Sequence, residues 1–334
     1  MSADELLSVK DLSVAFKMGN DGKELMEVVD KVSIRIKRGK TLSLVGESGS
    51  GKSVTASSIM RLLPQPYGVI TSGQIMFNGE SILDMPVDEL YKIRGSQIAM
   101  IFQEPMTALN PVHIVEKQIG EVFELHRPEI SKEERINNIL SVLEDVKMPS
   151  ATERLKNYPF QLSGGMRQRV MIAMALAGHP ELLIADEPTT ALDVTVQAQI
   201  LALIKQLQVK NNMAVLYITH DMGVVAEVSD DVAVMYAGQI VETADVTTIF
   251  KNPSHPYTKG LIASMPKLDS EPKTHLPYIE GVVPSPRLYP ATCRFAERCP
   301  YATDYCKTHT PILEEIGENH VIRCFRYKEI QNER

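Results

Sequence analysis

The sequence lacks tryptophan, lacks any long apolar segment and has no cysteine before position 293. No apolar run approaches the roughly 20 residues that a membrane-spanning helix needs, so we do not expect the chain to cross a bilayer. The first residues, Met-Ser-Ala-Asp-Glu-Leu-Leu, contain neither the basic segment nor the apolar core of a secretory signal. These absences predict a protein that stays in the cytoplasm and reaches any membrane through a partner.

Positive charge is also in short supply. The chain has 35 lysines and arginines against 42 aspartates and glutamates, which gives a formal net charge of −7. A nucleic-acid groove usually needs a basic surface, so this balance argues against a nucleic-acid partner. The 334 residues, 44% of them hydrophobic and 23% charged, are enough for a globular core domain with an appendage.

A glycine-rich segment at 46–53 fits the phosphate-loop pattern G-x-x-x-x-G-K-[ST]. Its residues are Gly46, Glu47, Ser48, Gly49, Ser50, Gly51, Lys52 and Ser53. An apolar run at 41–45 precedes it and a segment without proline or glycine at 54–63 follows it, which predicts strand, loop and helix. In that setting Lys52 would reach the β- and γ-phosphates and the Ser53 hydroxyl would bind Mg²⁺. An ordinary glycine turn with a surface lysine is the alternative.

Alternating apolar residues predict strands at 6–17 and 32–36, an antiparallel layer ahead of the phosphate loop, with a turn at 19–22 between them. Phe16, at the end of the first strand, could stack on an adenine ring or could simply be a core or edge aromatic. Further strands are predicted at 73–78 and 98–102, followed by a mainly helical stretch at 114–146.

Polar residues follow three of the apolar runs. Gln103 follows the strand at 98–102, and the carboxylates Asp186 and Glu187 end the run at 182–187. His220 follows another buried run at 214–219. Next to a phosphate loop, one acid could hold Mg²⁺ and the other could orient an attacking water. The alternatives are a polar strand cap for Gln103, a solvated strand end for the acids and a structural histidine.

A second anion-binding helix end is predicted at 162–166, Leu-Ser-Gly-Gly-Met. Ser163 is a natural N-cap, and Gly164 and Gly165 leave backbone N–H groups accessible. Taken alone, such a segment is more often a simple turn.

Taken in order, these elements resemble an ATP-binding cassette (ABC) subunit over about residues 5–250. The resemblance implies an α/β fold: an ABC-type ATPase core at 1–252, with an antiparallel β subdomain and a helical subdomain at about 104–170. A small cysteine-containing extension would occupy 253–334. The finer resemblance is to ATPase subunits of oligopeptide and dipeptide importers. It rests on the segments at 103–111 and 188–197, and on His-Pro-Tyr-Thr at 255–258 and Gly-Val-Val-Pro-Ser-Pro at 281–286 of the tail.

The resemblance implies a role for each motif. Glu187 would orient the attacking water, and Gln103 and His220 would sense the γ-phosphate. Mg²⁺ would lie on Ser53, Gln103 and Asp186, and Phe16 would stack on the adenine. Ser163, Gly164, Gly165 and the dimer-facing Asp193 would serve the nucleotide of a second ATPase subunit, expected to be a paralogue. Two transmembrane permease subunits and an extracytoplasmic solute-binding protein would complete the importer, placing this chain on the cytoplasmic face of the cell membrane.

The four cysteines of the chain, Cys293, Cys299, Cys306 and Cys324, all lie in the last 42 residues. In a cytoplasmic protein such a cluster predicts metal binding rather than disulfides. The spacing C-x5-C-x6-C-x17-C differs from the C-x2-C pairs common in zinc sites, and Cys299 precedes a proline, as in some iron–sulfur ligand runs. Spacing and resemblance favour a [4Fe-4S] cluster over Zn²⁺. Reduced, unligated thiols are the third possibility.

Other functions share part of this pattern. Nickel and other small-solute importers carry much of the same tail, and soluble ABC ATPases of DNA repair or translation carry the same nucleotide motifs. The soluble proteins usually have two cassettes in one chain or long coiled-coil insertions. An unrelated phosphate-loop enzyme, such as a kinase, would lack the segment at 162–166 and the histidine at 220. The sequence therefore predicts an importer ATPase.

Overall fold

A computed structural model of the chain describes residues 4–19, 23–103, 108–190, 192–266 and 277–332. The turn predicted at 19–22, part of the segment at 103–111 and position 191 therefore lie partly or wholly outside the described residues. The strands are β1 (Glu5–Met18), β2 (Glu24–Lys37), β3 (Thr41–Val45), β4 (Gly68–Phe77), β5 (Glu80–Ser81), β6 (Ile98–Ile101), β7 (Leu182–Asp186), β8 (Ala214–Thr219), β9 (Asp231–Tyr236), β10 (Gln239–Asp245), β11 (Glu314–Gly317) and β12 (His320–Ile322).

The helices vary from one turn to five. They are α1 (Lys52–Ile59), α2 (Val87–Ile93), α3 (Val115–His126), α4 (Lys132–Asp145), α5 (Ala151–Arg154), α6 (Gly164–Leu176), α7 (Val194–Asn211), α8 (Met222–Val228), α9 (Val246–Lys251), α10 (Pro256–Ala263), α11 (Asp304–Thr308) and α12 (Tyr327–Asn332). In the part of the chain that the structure describes, no helix combines the length and the apolar character needed to cross a membrane.

The chain divides into two compact units. The first consists of Asp84–Tyr217 with Ile36–Lys40 and the residues up to Leu6. The second consists of Leu7–Arg35, Thr41–Leu83 and Ile218–Arg334. The second unit therefore contains both the phosphate loop and the cysteine-bearing tail.

One sheet of the second unit is the predicted antiparallel layer, in the strand order β2-β1-β4-β5. Strand β4 begins at Gly68, five residues before the predicted start at Gly73. Gly73 lies inside the strand at φ +102°, where a Cβ would come within 2.6 Å of the Asp11 carbonyl oxygen. The β1–β4 register shifts at the same place. This glycine therefore marks a bulge, which sequence reasoning read as a strand end.

The other strands of the second unit lie in the order β11-β12-β10-β9-β3. Strand β3 runs parallel to β9, and β10 runs antiparallel to both β9 and β12. A buried core forms around β9 and includes Val45, Tyr236, Tyr257 and Phe295, with Cys293 and Cys299 packed against it. The tail therefore shares its hydrophobic core with the strand that leads into the phosphate loop.

In the first unit the strands lie in the order β8-β7-β6, with β6 and β7 parallel. Helices α3, α4 and α6 pack against one another, and α6 also packs on β6. Ser131 caps α4 by accepting a hydrogen bond from the Glu134 N–H. The stretch predicted to be mainly helical forms two helices, and the chain breaks around Pro128 between them.

Candidate nucleotide site

The phosphate loop connects the fully buried strand β3 to α1 in the second unit. A Cβ at Gly46 would lie 2.1 Å from the Met235 carbonyl oxygen, so the loop can pass β9 only with glycine there. Gly51, the residue before α1, has φ +102°, a conformation that L side chains rarely adopt. These two glycines set the curl that the pattern predicts. Helix α1 ends at Ile59 and not at 63, because Arg61 adopts φ +49° ahead of Pro64.

Lys52 lies inside this curl. Its side chain is buried, and Nζ donates hydrogen bonds to the carbonyl oxygens of Gly46 at 2.7 Å and Glu47 at 2.9 Å. Ser48, Gly49 and Ser53 are exposed beside it. The loop therefore surrounds a buried ammonium group and keeps its central residues accessible, as binding of a phosphate chain requires.

Two other predicted residues belong to the same unit. Phe16 is half-buried near the end of β1, where its register partner is Gly68 on β4. His220 is exposed directly after β8, and the next residue, Asp221, caps α8 by accepting from the N–H groups of Gly223 and Val224. Adenine stacking by Phe16 and phosphate sensing by His220 stay predictions.

The first unit brings Gln103 and Glu187 into contact. Gln103 Nε2 donates to Glu187 Oε2 at 3.0 Å, and Thr190 Oγ1 donates to the same oxygen at 3.0 Å. Glu187 has φ +45°, an uncommon conformation for a residue other than glycine. Asp186, the last residue of β7, is buried. The turn after β7 thus holds the Glu187 carboxylate at a defined place, with Thr190 as a contact that sequence reasoning missed.

Ser163 occupies the N-cap of α6, and its side chain accepts from the Met166 N–H at 3.4 Å. Gly164 is exposed, whereas a Cβ at Gly165 would come within 3.0 Å of Val196 Cγ1 on α7. Asp193 caps α7 by accepting from the Val196 N–H at 3.0 Å. Ser163 and Asp193 are therefore helix caps in this chain. Their predicted roles toward a second subunit and its nucleotide stay predictions.

All four cysteines line one pocket in the second unit, next to Phe295, Phe325 and Ile330. Burial raises the pKa of Cys299 to about 11 and that of Cys324 to about 12, and it also raises the pKa of Cys293. Without a bound metal these thiols are therefore protonated at neutral pH. Among the described residues, no three histidine, cysteine, aspartate or glutamate side chains are grouped so that they could hold one metal ion. The structure thus gathers the predicted ligands without forming a single-ion site.

Two residues of the extension that sequence reasoning did not assign to the site contact the phosphate loop. The Glu47 N–H donates to the Tyr257 hydroxyl oxygen at 2.8 Å. Arg298 donates through both terminal nitrogens to the Glu47 carboxylate, at 2.6 Å and 3.0 Å. The motif that contains Tyr257 and the Arg-Cys pair at 298–299 were visible in the sequence, but nothing in their pattern indicates the partner.

Comparison with known proteins decides the family. The ABC transporter family matches residues 29–190, and the oligopeptide/dipeptide transporter C-terminal region matches residues 241–306. A probable peptide ABC transporter ATP-binding protein of Sinorhizobium fredii is 49% identical over 330 residues, which cover 99% of this chain and 97% of that protein. The chain belongs to the ABC transporter family. The predicted family and fold class are therefore confirmed.

Further relatives of this ABC protein agree. The oligopeptide transport ATP-binding protein OppD of Bacillus subtilis is 49% identical over 318 residues, covering 95% of this chain and 88% of OppD. Among solved structures, a dimeric ATP-binding cassette in a post-hydrolysis state, bound to ADP and Pi, superposes with a TM-score of 0.64 at 30% identity. That match covers 72% of this chain and 99% of the cassette. The ABC protein described here is an ATPase.

Proposed function

We propose that this ABC ATPase drives a membrane importer for oligopeptides or dipeptides. The observation that carries the proposal is the succession of an ABC region at 29–190 and an oligopeptide/dipeptide transporter C-terminal region at 241–306 in one chain. The relatives named as peptide transport proteins align over nearly the whole chain, the tail included. An importer of nickel or another small solute is the second candidate, because such importers share much of the tail.

In this proposal the chain's own residues perform the ATP chemistry. Lys52, already buried inside the loop, binds the β- and γ-phosphates of ATP in place of two loop carbonyls. Glu187, held by Gln103 and Thr190, orients the attacking water and accepts its proton.

Ser53, Gln103 and Asp186 offer the hydroxyl, amide and carboxylate oxygens that Mg²⁺ prefers. The ion would neutralise charge that develops on the phosphates.

The proposal also assigns partners. Ser163, Gly164 and Gly165 would complete the nucleotide site of a second ATPase subunit, a paralogue of this chain, and Asp193 would face it. Two permease subunits and an extracytoplasmic solute-binding protein would complete the importer, with this chain on the cytoplasmic face of the membrane. The support is the resemblance of motifs and the exposure of Ser163, Gly164 and Asp193 at the ends of helices α6 and α7.

Uptake by cells tests the substrate. The gene is deleted in its native host and restored either as the parent sequence or as Glu187→Gln, and uptake of a labelled dipeptide, a labelled hexapeptide and Ni²⁺ is measured. We expect peptide uptake to be restored by the parent alone and Ni²⁺ uptake to be unchanged throughout. Loss of Ni²⁺ uptake with normal peptide uptake would establish the second candidate. Normal uptake of all three solutes in the deletion strain would instead favour a soluble ABC ATPase.

We further propose that Cys293, Cys299, Cys306 and Cys324 bind a [4Fe-4S] cluster. All four line one pocket, and the lining contains no carboxylate that would favour a harder ion. The four thiolates would hold the cluster from the lining of this pocket. The bound cluster would cross-link a segment whose helices and strands are short.

Elemental analysis of protein purified without oxygen tests the cluster. About four irons per chain with broad absorbance near ~400 nm is the expected result. One zinc per chain would replace the cluster by a Zn²⁺ site, and metal-free protein would leave four plain thiols. The Cys306→Ser variant, which removes the most buried of the four, is expected to lose the iron.

A further inference from the structure

The second residue of the phosphate loop, Glu47, is held from outside the loop by the C-terminal extension. Its carboxylate receives two hydrogen bonds from Arg298, and its backbone N–H donates to Tyr257. Glu47 also accepts, through its carbonyl oxygen, a hydrogen bond from Lys52 Nζ. One residue therefore connects the extension to the phosphate-binding lysine.

Arg298 is also held by other groups of the extension, independently of Glu47. Its side chain is 6% exposed. Its guanidinium donates to the carbonyl oxygens of Ile279, Glu280 and Gly281, at 3.2 Å, 2.8 Å and 3.3 Å. The hydrogen bonds to Glu47 raise the pKa of Arg298 further, so the group stays charged. An arginine oriented by three carbonyls loses little conformational entropy when it pairs with a carboxylate, which makes this a strong contact.

Tyr257 is equally constrained. It is fully buried, and its ring centroid lies 4.8 Å from that of Tyr236 on β9 and 5.4 Å from that of Phe295 in the extension. Burial raises the pKa of Tyr257 well above its ordinary value, so the hydroxyl is neutral when it accepts from Glu47. The aromatic cluster thus places a hydrogen-bond acceptor against the loop backbone.

A second arginine of the same segment supports the loop indirectly, at another residue. Arg294 donates to the Ala237 carbonyl oxygen at 2.6 Å and to Asp30 at 2.7 Å. The next residue, Gly238, donates its N–H to the Ser50 carbonyl oxygen at 2.9 Å. The segment between the first two cysteines therefore supports the loop at Glu47 and, through the β9–β10 turn, at Ser50.

We propose that Arg298 is a positioning residue for the phosphate loop, and that ATP affinity consequently depends on the C-terminal extension. The extension fixes Glu47, and the Glu47 carbonyl oxygen accepts a hydrogen bond from Lys52 Nζ. The position of Glu47 therefore affects how well the loop N–H groups and Lys52 meet a phosphate chain. The inference rests on the assignment of 46–53 as the ATP site. It gives the extension a function in nucleotide binding that is separate from any metal.

Equilibrium binding of ATP to the purified full chain tests the proposal, with thermal unfolding measured on every variant. We expect Arg298→Ala to weaken ATP binding about tenfold, the order expected for loss of one charged hydrogen-bonded pair. Arg298→Lys should lie between this variant and the parent. Arg287→Ala, which removes an exposed arginine of the same extension, is the matched control and should bind ATP like the parent. In the assembled complex, the kcat of Arg298→Ala at saturating ATP should stay within about twofold of the parent, because the residue acts on binding.

Glu47→Gln removes the ion pair from the loop side and leaves the extension intact, so it tests the same contact if Arg298→Ala fails to fold. Combined with Arg298→Ala, it should weaken binding no further than the worse single variant, because both remove one interaction. Parental ATP affinity in folded Arg298→Ala and Glu47→Gln would overturn the proposal. Lys52→Ala distinguishes failure of this proposal from failure of the ATP-site assignment. If Lys52→Ala also bound ATP like the parent, the assignment of 46–53 as the ATP site would be wrong.

Discussion

Lys52 lies buried in the loop, where its Nζ donates hydrogen bonds to the carbonyl oxygens of Gly46 and Glu47. Carbonyl dipoles solvate a buried ammonium less completely than phosphate oxygens, so binding of ATP offers Lys52 a stronger partner. We therefore expect Lys52→Ala to weaken ATP binding itself, by about tenfold or more in equilibrium titration. Lys205→Ala, on the exposed side of α7, is the matched control. Parental affinity in Lys52→Ala would show that another group binds the phosphates.

A substitution at Glu187 should affect ATP hydrolysis without affecting ATP binding. In Glu187→Gln the side-chain oxygen can still accept from Gln103 or Thr190, but the amide cannot accept a proton from water. We expect kcat to fall at least ~100-fold while ATP affinity stays within about twofold, since general-base catalysis is lost and the phosphate loop is untouched.

Glu181→Gln is the control for this experiment, because it changes a glutamate just before the other end of the same strand, β7. It should hydrolyse ATP like the parent. Near-parental turnover by Glu187→Gln in the assembled complex would mean that a different residue orients the water.

At the residue scale, the sequence was enough to identify the phosphate-loop residues but not the residues that contact them. The phosphate-loop residues could be identified because their function constrains a short contiguous pattern. The contacts of Glu47 could not, because Tyr257 and Arg298 lie 210 and 251 positions further along the chain. A hydrogen bond between such distant residues depends on how strands β3 and β9 pair, which no local pattern records.

At the scale of elements, the predictions that matched were those set by burial. Strands β3 and β8 occupy the predicted residues, because uninterrupted apolar runs fix their limits. Helix α6 begins at the helix end predicted at 162–166, because Ser163 is its N-cap. The limits of α1 and β4 differ because single residues, Arg61 and Gly73, adopt positive φ. A left-handed residue ends a helix in one case and bulges a strand in the other, and the sequence does not distinguish the two outcomes.

Helices α4 and α6 both begin with a serine N-cap. The cap of α4 can therefore serve as the control for a substitution at the cap of α6. Ser131 and Ser163 each accept a hydrogen bond from the N–H three residues later. Replacing either by alanine should cost about 1 kcal/mol of stability, measured by thermal unfolding. We expect only Ser163→Ala to lower ATP turnover of the assembled complex, because only that helix end would meet a partner's nucleotide. Equal turnover in Ser131→Ala and Ser163→Ala would reduce Ser163 to a structural cap.

At the scale of the whole molecule, the tail and the phosphate loop belong to one unit although they stand at opposite ends of the sequence. Composition separates them: the residues after 252 are rich in proline and contain every cysteine of the chain. The structure gives them a common core, in which Tyr236, Tyr257 and Phe295 pack together. The change in composition after residue 252 therefore marks a boundary in the sequence, although the tail packs against the strands next to the phosphate loop.

The last prediction concerns the rate of the whole enzyme. The phosphate loop presents Lys52 and accessible backbone at 48–49, while the exposed end of α6 presents Ser163 and Gly164. If each subunit's helix end completes its partner's site, as we propose, one chain alone holds incomplete sites. We expect the ATPase rate per chain to rise with protein concentration, and to rise further when the partner ATPase and permease subunits are added. Lys52→Ala should stay inactive at every concentration, which excludes a contaminating ATPase. A specific rate that stayed constant across a 100-fold dilution (about the span over which a weak association would dissociate), and on addition of the partners, would show that each chain hydrolyses ATP at a site of its own.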